Sequence, residues 1–314
     1  MLKSASDPSA AGAVCSGGAG GVSAVPPALQ RVAMLAGAEA LEKLRRTKAL
    51  IFGVGGVGSW CAEALARSGV GKIAIVDFDA VCASNINRQL QATGRTLGRA
   101  KVEALKERLL EISPGCEIDA WAKPFSREAA GEFGIETADY VIDAIDSLTH
   151  KLDLIEICSA AGAKFFSSMG MARKMDPTRL KAADIWETRG CPLARAVRQG
   201  LRRRGFRGKL TVVYGEECLA NIPIDIGSDA AIGAGSSGAG LSANGIDGNG
   251  AAAAGCDFSA NGIDSNGAAD ADGAGSKARF DKKMPNGSVV TVTAAAGMIL
   301  ASLVLRDACR GSGG

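Results

Sequence analysis

From residue 49 onward, short continuous apolar runs alternate with amphipathic stretches. Ala49-Leu50-Ile51-Phe52, Lys72-Ile73-Ala74-Ile75-Val76 and Tyr140-Val141-Ile142-Asp143 are runs of the kind that fill parallel strands buried on both faces. Further strands are predicted at 117–121 and 164–168, and helices over 59–67, 98–112 and 149–161. Ser113-Pro114-Gly115 closes the second of these helices with a turn. Strands separated by helices of this length predict an α/β fold, a Rossmann-like, mainly parallel sheet with helices on both faces. Right-handed crossovers then put a ligand at the C-terminal ends of the strands.

The flanking pattern is less regular. After Pro26-Pro27, the residues Leu29, Val32, Leu35, Leu41 and Leu44 recur at roughly helical spacing, with Glu39–Lys43 and Glu42–Arg46 placed for i,i+4 support. Past Met169, strands at 180–186 and 210–214 flank a basic helix of about 192–204. Residues 289–305 carry no charge, begin with the β-branched Val-Val-Thr-Val-Thr and continue rich in Ala and Leu. At the lower edge of bilayer-spanning length, this segment is predicted as a strand leading into a buried helix, with no stable membrane span. The sheet is thus expected to close with a C-terminal extension of strands and helix.

Composition sharpens the domain boundaries. Of 42 glycines, 5 fall in residues 1–27 and 13 in residues 227–276, beside 14 alanines. Neither stretch has a helical or strand period, so a disordered tail over 1–27 and a low-complexity disordered insert over 222–285 are expected. The insert holds a near-repeat, Ser-Ala-Asn-Gly-Ile-Asp from Ser242 and again from Ser259. The folded unit is therefore 28–221, completed by 286–310. Collagen is excluded by the lack of a Gly-X-Y period, and nine scattered cysteines exclude a disulfide scaffold.

The net charge is only +3, yet residues 190–210 carry Arg195, Arg198, Arg202, Arg203, Arg204, Arg207 and Lys209 without an acid. Such a run fits either a solvated helix face or a phosphate-rich partner. The first 27 residues lack a basic segment followed by an apolar block, and unpatterned free cysteines suit a reducing compartment. A cytoplasmic protein is expected, with membrane association through 289–305 as the alternative.

The first strand delivers Gly53-Val54-Gly55-Gly56-Val57-Gly58. Glycines there permit a tight turn and let phosphates meet the N–H groups of the following helix, which suits NAD, FAD or ATP alike. Asp77 ends the second strand, 19 residues beyond Gly58, placed to hold a ribose hydroxyl; Asp79 follows it. The next residues decide against hydride transfer. Ser84-Asn85-Ile86-Asn87-Arg88-Gln89 and then Lys101 supply cations that stabilise charge developing on phosphates, for which a nicotinamide site has no comparable need. Asp146, after the fourth strand, is a carboxylate suited to Mg²⁺ on a leaving pyrophosphate.

This ordered set resembles the ubiquitin-activating-enzyme-like superfamily, which includes the bacterial adenylyltransferases of molybdopterin and thiamine synthesis. The resemblance implies an ATP-binding adenylation domain over 28–221. Gly53, Gly55, Gly56 and Gly58 would cradle ATP, with Asp77 and Asp79 at the ribose side. Asn85, Arg88, Gln89 and Lys101 would surround the phosphates, and Asp146 would bind Mg²⁺. Arg88, Lys101 and Asp146 are the implied catalytic residues.

Three further segments resemble the tRNA threonylcarbamoyladenosine dehydratase branch: Arg31-Val32-Ala33-Met34-Leu35-Ala36-Gly37, Cys191-Pro192-Leu193-Ala194-Arg195 with its arginine-rich continuation, and Asn286-Gly287-Ser288. Membership implies that ATP adenylates the threonyl carboxylate of the modified adenosine in tRNA, after which the carbamoyl group closes a ring. A tRNA substrate would give the basic helix, Arg195 to Arg207, its partner, and a homodimer is implied, in which Arg31 reaches a neighbour's ATP or forms a local salt bridge. The alternative activity is an adenylyltransferase for a small sulfur-carrier protein; a nucleotide-binding sulfur-relay partner is a third. No Cys-x-x-Cys pair exists, so no zinc site is expected, which favours the dehydratase branch. Cys191 reads as a helix-start residue or a thioester nucleophile, Cys218 as a weaker nucleophile, and His150 as a surface residue.

Overall fold

The computed structural model describes residues 25–222 and 286–310. The tail up to residue 24, the tract 223–285 with its near-repeat, and residues 311–314 lie outside the described residues. The first half of the chain runs α1 (Gln30–Ala36), α2 (Ala38–Arg46), β1 (Lys48–Phe52), α3 (Gly58–Arg67), β2 (Lys72–Val76), α4 (Lys101–Ile112) and β3 (Glu117–Trp121). It continues with β4 (Tyr140–Asp143), α5 (Leu148–Ala160), β5 (Lys164–Ser168), β6 (Leu180–Asp184), α6 (Pro192–Arg203), β7 (Thr211–Gly215) and α7 (Val290–Ala308).

These strands form one sheet in the order β3-β2-β1-β4-β5-β7-β6. All neighbours are parallel except β6, which runs antiparallel to β7. The expected α/β architecture holds. Chain direction across the sheet reverses between β1 and β4, the switch point where such sheets bind ligands. Residues along β1 alternate between two cores, as a strand buried on both faces must. Ala49 and Ile51 join the core shared with α3, α4 and α7. Leu50 and Phe52 face the other, where the Phe52 ring meets Phe125 and Phe133 edge-on at 5.0 and 5.4 Å. The second face is completed by α5 and α6.

The helical spacing over 29–44 resolves into two helices, because Gly37, at φ +87°, separates α1 from α2. Leu35 is therefore off the buried stripe and 92% exposed, beside Met34 at 83%. One expectation needs correction: the β-branched start of 289–305 is not a strand but belongs to α7. Here packing overrides intrinsic preference. Val292, Thr293 and Ala296 are buried, and at Gly297 an added Cβ would lie 2.5 Å from the Val57 carbonyl, so α7 and α3 touch backbone to backbone. By length and composition α7 could cross a membrane; its buried stripe packs on α3.

Where the chain leaves and returns around 223–285, its ends are clasped. Gly287 N–H donates to Asn221 Oδ1 at 3.1 Å. Arg173, in the left-handed region at φ +61°, donates its N–H to the Gly287 carbonyl at 2.8 Å and accepts from Leu219 N–H at 2.9 Å.

Candidate active site

The glycine-rich turn links β1 to α3 at the switch point. Gly53 sits at φ +84°, and a Cβ there would lie 2.8 Å from the Ala144 carbonyl. A Cβ on Gly58 would lie 1.9 Å from the Gly53 carbonyl, so neither position accepts a side chain. Gly55 has no such neighbour: the nearest atom to an added Cβ is Gln89 Nε2 at 3.8 Å. Two glycines thus shape the turn, while Gly55 leaves open space above it.

Asp77 follows β2 and clamps this turn. Its carboxylate accepts the Val54 N–H at 2.8 Å and the Asp79 N–H at 2.9 Å. Burial raises its pKa above the usual carboxylate value, against the opposing pull of Lys101 and these N–H groups. Lys101 opens α4 almost fully buried, and its ammonium meets Asp79 Oδ2 at 2.6 Å. Gly53, Gly55, Gly56, Gly58, Asp77, Asp79 and Lys101 therefore gather at one edge of the sheet.

Asn85 lies in a 3₁₀ turn, Ala83–Asn85, and its Oδ1 accepts the Cys82 N–H at 3.1 Å, so part of its capacity is spent locally. Arg88 reaches back beside Gly56, its Cγ 3.3 Å from where a Cβ there would sit. Its guanidinium donates to the Ser84 carbonyl at 2.7 Å and Asn87 Oδ1 at 2.9 Å. Burial lowers the Arg88 pKa, and the charge of Asp146 opposes that shift. Arg88 and the exposed Asp146 come from separate loops, and neither pairs with the other among the described residues. Gln89 is buried, and its Oε1 has no hydrogen-bond partner among the described residues, an acceptor left open beside the turn.

Sequence reasoning missed several supporting residues. Gln91 donates to the Val54 carbonyl at 2.8 Å, and Trp60 Nε1 donates to the Arg88 carbonyl at 3.0 Å. Thr293 of α7 flanks Gly56 opposite Arg88, and Asn87 Nδ2 donates to the Ser288 carbonyl at 2.9 Å, so the C-terminal segment walls the site. Behind it lies a fully buried ion pair, Lys151 Nζ to Asp143 Oδ2 at 2.7 Å. Ser167 Oγ donates to the same carboxylate oxygen at 2.6 Å, and Lys151 also donates to the Ser168 carbonyl at 3.0 Å. Asp143 Oδ1 accepts the Ile145 N–H at 3.0 Å, which fixes the loop carrying Asp146. The only available signal was Asp143 itself, three residues before Asp146.

Other predicted residues lie elsewhere. Cys191 is buried at the start of α6 near the Gly170 carbonyl, a helix-start position. His150 is half-buried, its ring edge-on to Phe125 at 6.4 Å, rather than a surface residue. Arg31 forms no salt bridge among the described residues. In the basic run, Arg204 is held by Asp153 at 2.7 Å and Glu156 at 3.0 Å, and Arg198 donates to Thr188 Oγ1. Burial pushes the thiols of Cys61 and Cys116 up to about 12 and about 11, away from the nucleophilic thiolate.

A positive-φ glycine turn clamped by an aspartate at the switch point, with arginine and lysine beyond it, is nucleotide-binding architecture built for a phosphate-rich ligand. The ThiF family model matches residues 29–306, and the chain belongs to that family. It is 43% identical over 190 residues to the tRNA threonylcarbamoyladenosine dehydratase of Bacillus subtilis, covering 60% of this chain and 75% of the relative. It is 40% identical to tRNA threonylcarbamoyladenosine dehydratase 2 of Saccharomyces cerevisiae, over 58% of this chain but only 41% of that longer protein. Among solved structures, the Escherichia coli tRNA N6-threonylcarbamoyladenosine dehydratase TcdA in complex with ATP superposes with a TM-score of 0.67 at 25% identity, covering 90% of this chain and 94% of that one.

Proposed function

We propose that this chain uses ATP to adenylate the threonyl carboxylate of N6-threonylcarbamoyladenosine in tRNA and so drives its cyclisation. The observation that carries the reading is the turn left open at Gly55 and clamped by Asp77, with Arg88 packed beside Gly56 at the same edge of the sheet.

A carboxylate is a poor electrophile until one oxygen becomes a good leaving group. Attack of the threonyl carboxylate on the α-phosphorus of ATP forms an acyl-adenylate and expels pyrophosphate. The neighbouring carbamoyl group then attacks the activated carbonyl, a proton leaves, and AMP departs with the former carboxylate oxygen. The nucleoside is lighter by one water. Both reacting groups belong to one nucleoside, so the high effective molarity makes a protein nucleophile unnecessary.

In this reading Asp77 accepts from a ribose hydroxyl, and N–H groups at the start of α3 face the phosphates. Arg88 stabilises charge on the phosphates, while Lys101, held by Asp79, lies behind them. The open Gln89 Oε1 and the unfilled space at Gly55 fit a nucleotide. One exposed carboxylate, Asp146, fits Mg²⁺, which binds through one or two carboxylates plus substrate phosphates. When bound there, Mg²⁺ would neutralise the leaving pyrophosphate. We place the enzyme in the cytoplasm, and as a homodimer, the latter supported by the exposed Met34 and Leu35 of α1.

The test incubates the purified protein with ATP, Mg²⁺ and threonylcarbamoylated tRNA, then weighs the digested nucleosides. A modified nucleoside lighter by one water is expected, and Arg88→Ala abolishes it. Pyrophosphate exchange that appears only with a sulfur-carrier protein, and no mass loss, overturns the proposal.

A further inference from the structure

The basic run does not act as one surface. Because β6 is antiparallel to β7, Asp184 pairs with Thr211, the first residue of β7, while Leu180 pairs with Gly215, its last. Residues just after β6 and just before β7 therefore lie at the edge of the sheet opposite the glycine-rich turn. Five strand residues separate the two edges, about 16 Å. Helix α6 ends at that remote edge too, since Arg204 to Leu210 must lead into β7.

At the remote edge a cleft of about 320 Å³ is lined by Trp186, Arg202 and Arg207. The indole is fixed at its polar end, Nε1 donating to the Gly208 carbonyl at 2.9 Å. The Arg202 guanidinium lies over the ring, 5.6 Å from its centroid. Neither Arg202, Arg203, Arg207 nor Lys209 forms a salt bridge among the described residues. Three nearby acids are engaged otherwise: Asp184 caps the turn by accepting the Trp186 N–H, and Asp153 and Glu156 hold Arg204 and Arg127. Glu187, beside the indole, is the exposed acid of this turn. Crowding by Arg202 and Arg195, after burial, also lowers the pKa of Arg198. Cations that form no salt bridge among the described residues, set around an aromatic plate, match one ligand chemistry well. Unpaired nucleotides offer a flat base to stack on indole or guanidinium and a phosphate for a neighbouring arginine.

We propose that the Trp186–Arg202–Arg207 cleft is an anchoring subsite for an unpaired nucleotide of the RNA substrate, remote from the adenylation chemistry. The base stacks on the Trp186–Arg202 platform and Arg207 meets a flanking phosphate. This rests on the tRNA reading above and adds to it a second point of attachment on the opposite edge of the sheet.

The experiment measures tRNA affinity and the KM values for tRNA and ATP in wild type, Trp186→Leu, Trp186→Phe and Arg207→Ala. Loss of a base stack predicts roughly tenfold weaker tRNA binding and a matching rise in KM for tRNA in Trp186→Leu, with KM for ATP at its wild-type value. Trp186→Phe, which keeps an aromatic face, recovers most of the loss. Arg207→Ala lowers the slope of log affinity against log salt by about one. If Trp186→Leu binds and turns over tRNA with wild-type constants, the subsite is wrong and the tRNA reading stands. If the wild-type chain fails to bind tRNA, both fall. Loss of binding to anionic lipid vesicles in Trp186→Leu, with tRNA binding intact, assigns the cleft to a membrane surface and overturns the subsite.

Discussion

Lys151→Met tests whether the buried pair behind the site holds the loop that carries Asp146. Lys151 is fully buried, and its ammonium serves Asp143 Oδ2 at 2.7 Å, the Ser168 carbonyl at 3.0 Å and Ser167 Oγ at 3.4 Å. Methionine fills much of the same space but leaves the Asp143 carboxylate buried with only the Ser167 hydroxyl and the Ile145 N–H. Breaking one side of a buried ion pair costs about 3–5 kcal/mol, because the surviving charge is uncompensated. With two hydrogen bonds still on that carboxylate, we expect about 4 kcal/mol. Urea unfolding should record this as a midpoint lower by roughly 1.5 M for a slope near the upper end of the usual range. Asp143→Asn in the Lys151→Met background removes the stranded charge and should recover about 2 kcal/mol, a non-additivity of contacting residues. The KM for ATP should rise in the single variant, because Asp143 Oδ1 fixes Ile145 and through it the Asp146 loop. A loss below about 1 kcal/mol, or a double variant no more stable than Lys151→Met, would refute the reasoning.

Three other predictions address separate parts of the molecule. Gly297→Ala forces a Cβ to within 2.5 Å of the Val57 carbonyl and should destabilise the domain by about 1–3 kcal/mol, measured by thermal unfolding. Glu63 joins α3 to α4 through Arg108 at 2.6 Å and pairs within α3 with Arg67 at 2.8 Å, and these guanidinium groups, against the pull of burial, lower its pKa below 4.5. A lowered carboxylate contributes stability above its unfolded pKa and loses it as pH falls through the folded one. Glu63→Gln should therefore cost about 1–2 kcal/mol at neutral pH, with the half-exposed arginines reducing the effect, and almost nothing in strong acid. For Asp77, burial raises the pKa above 3.8, so acidification protonates it before an ordinary carboxylate and removes an acceptor for the ribose. KM for ATP should climb as pH falls through that raised value, and a limb unchanged in Asp77→Asn would separate it from this residue.

How legible each part was depends on how local its cause is. The strands at 72–76 and 140–143 were readable because burial on both faces leaves a nearly unbroken apolar run, while the edge strand at 117–121 showed instead as alternation, with Glu117 and Asp119 exposed. The glycine turn and Asp77 were readable because they sit at the ends of such strands. The start of α7 was not: Val-Val-Thr-Val-Thr has strand preference, and only the bare face of Gly297 against α3, a contact across more than two hundred residues of chain, makes it helical. Lys151 was hidden for a similar reason. A lysine eight residues past a strand end reads as solvated until Ser167 and Ser168 from the next strand enclose it. The charge run misled in the opposite sense, since a linear count could not show that Arg204 belongs to α5 while Arg202 leans on an indole.

The clasp formed by Asn221, Gly287 and Arg173 has a consequence for how this molecule tolerates change. The two ends it joins are held by described side chains and backbone, whatever the length of chain that runs between them. Closing a flexible loop costs only about 0.6 kcal/mol per doubling of its length. The junction is accordingly a port: foreign sequence, a reporter or a whole second domain can be grafted there, or the native tract shortened to a few residues, while α7 still docks on α3 and walls the nucleotide.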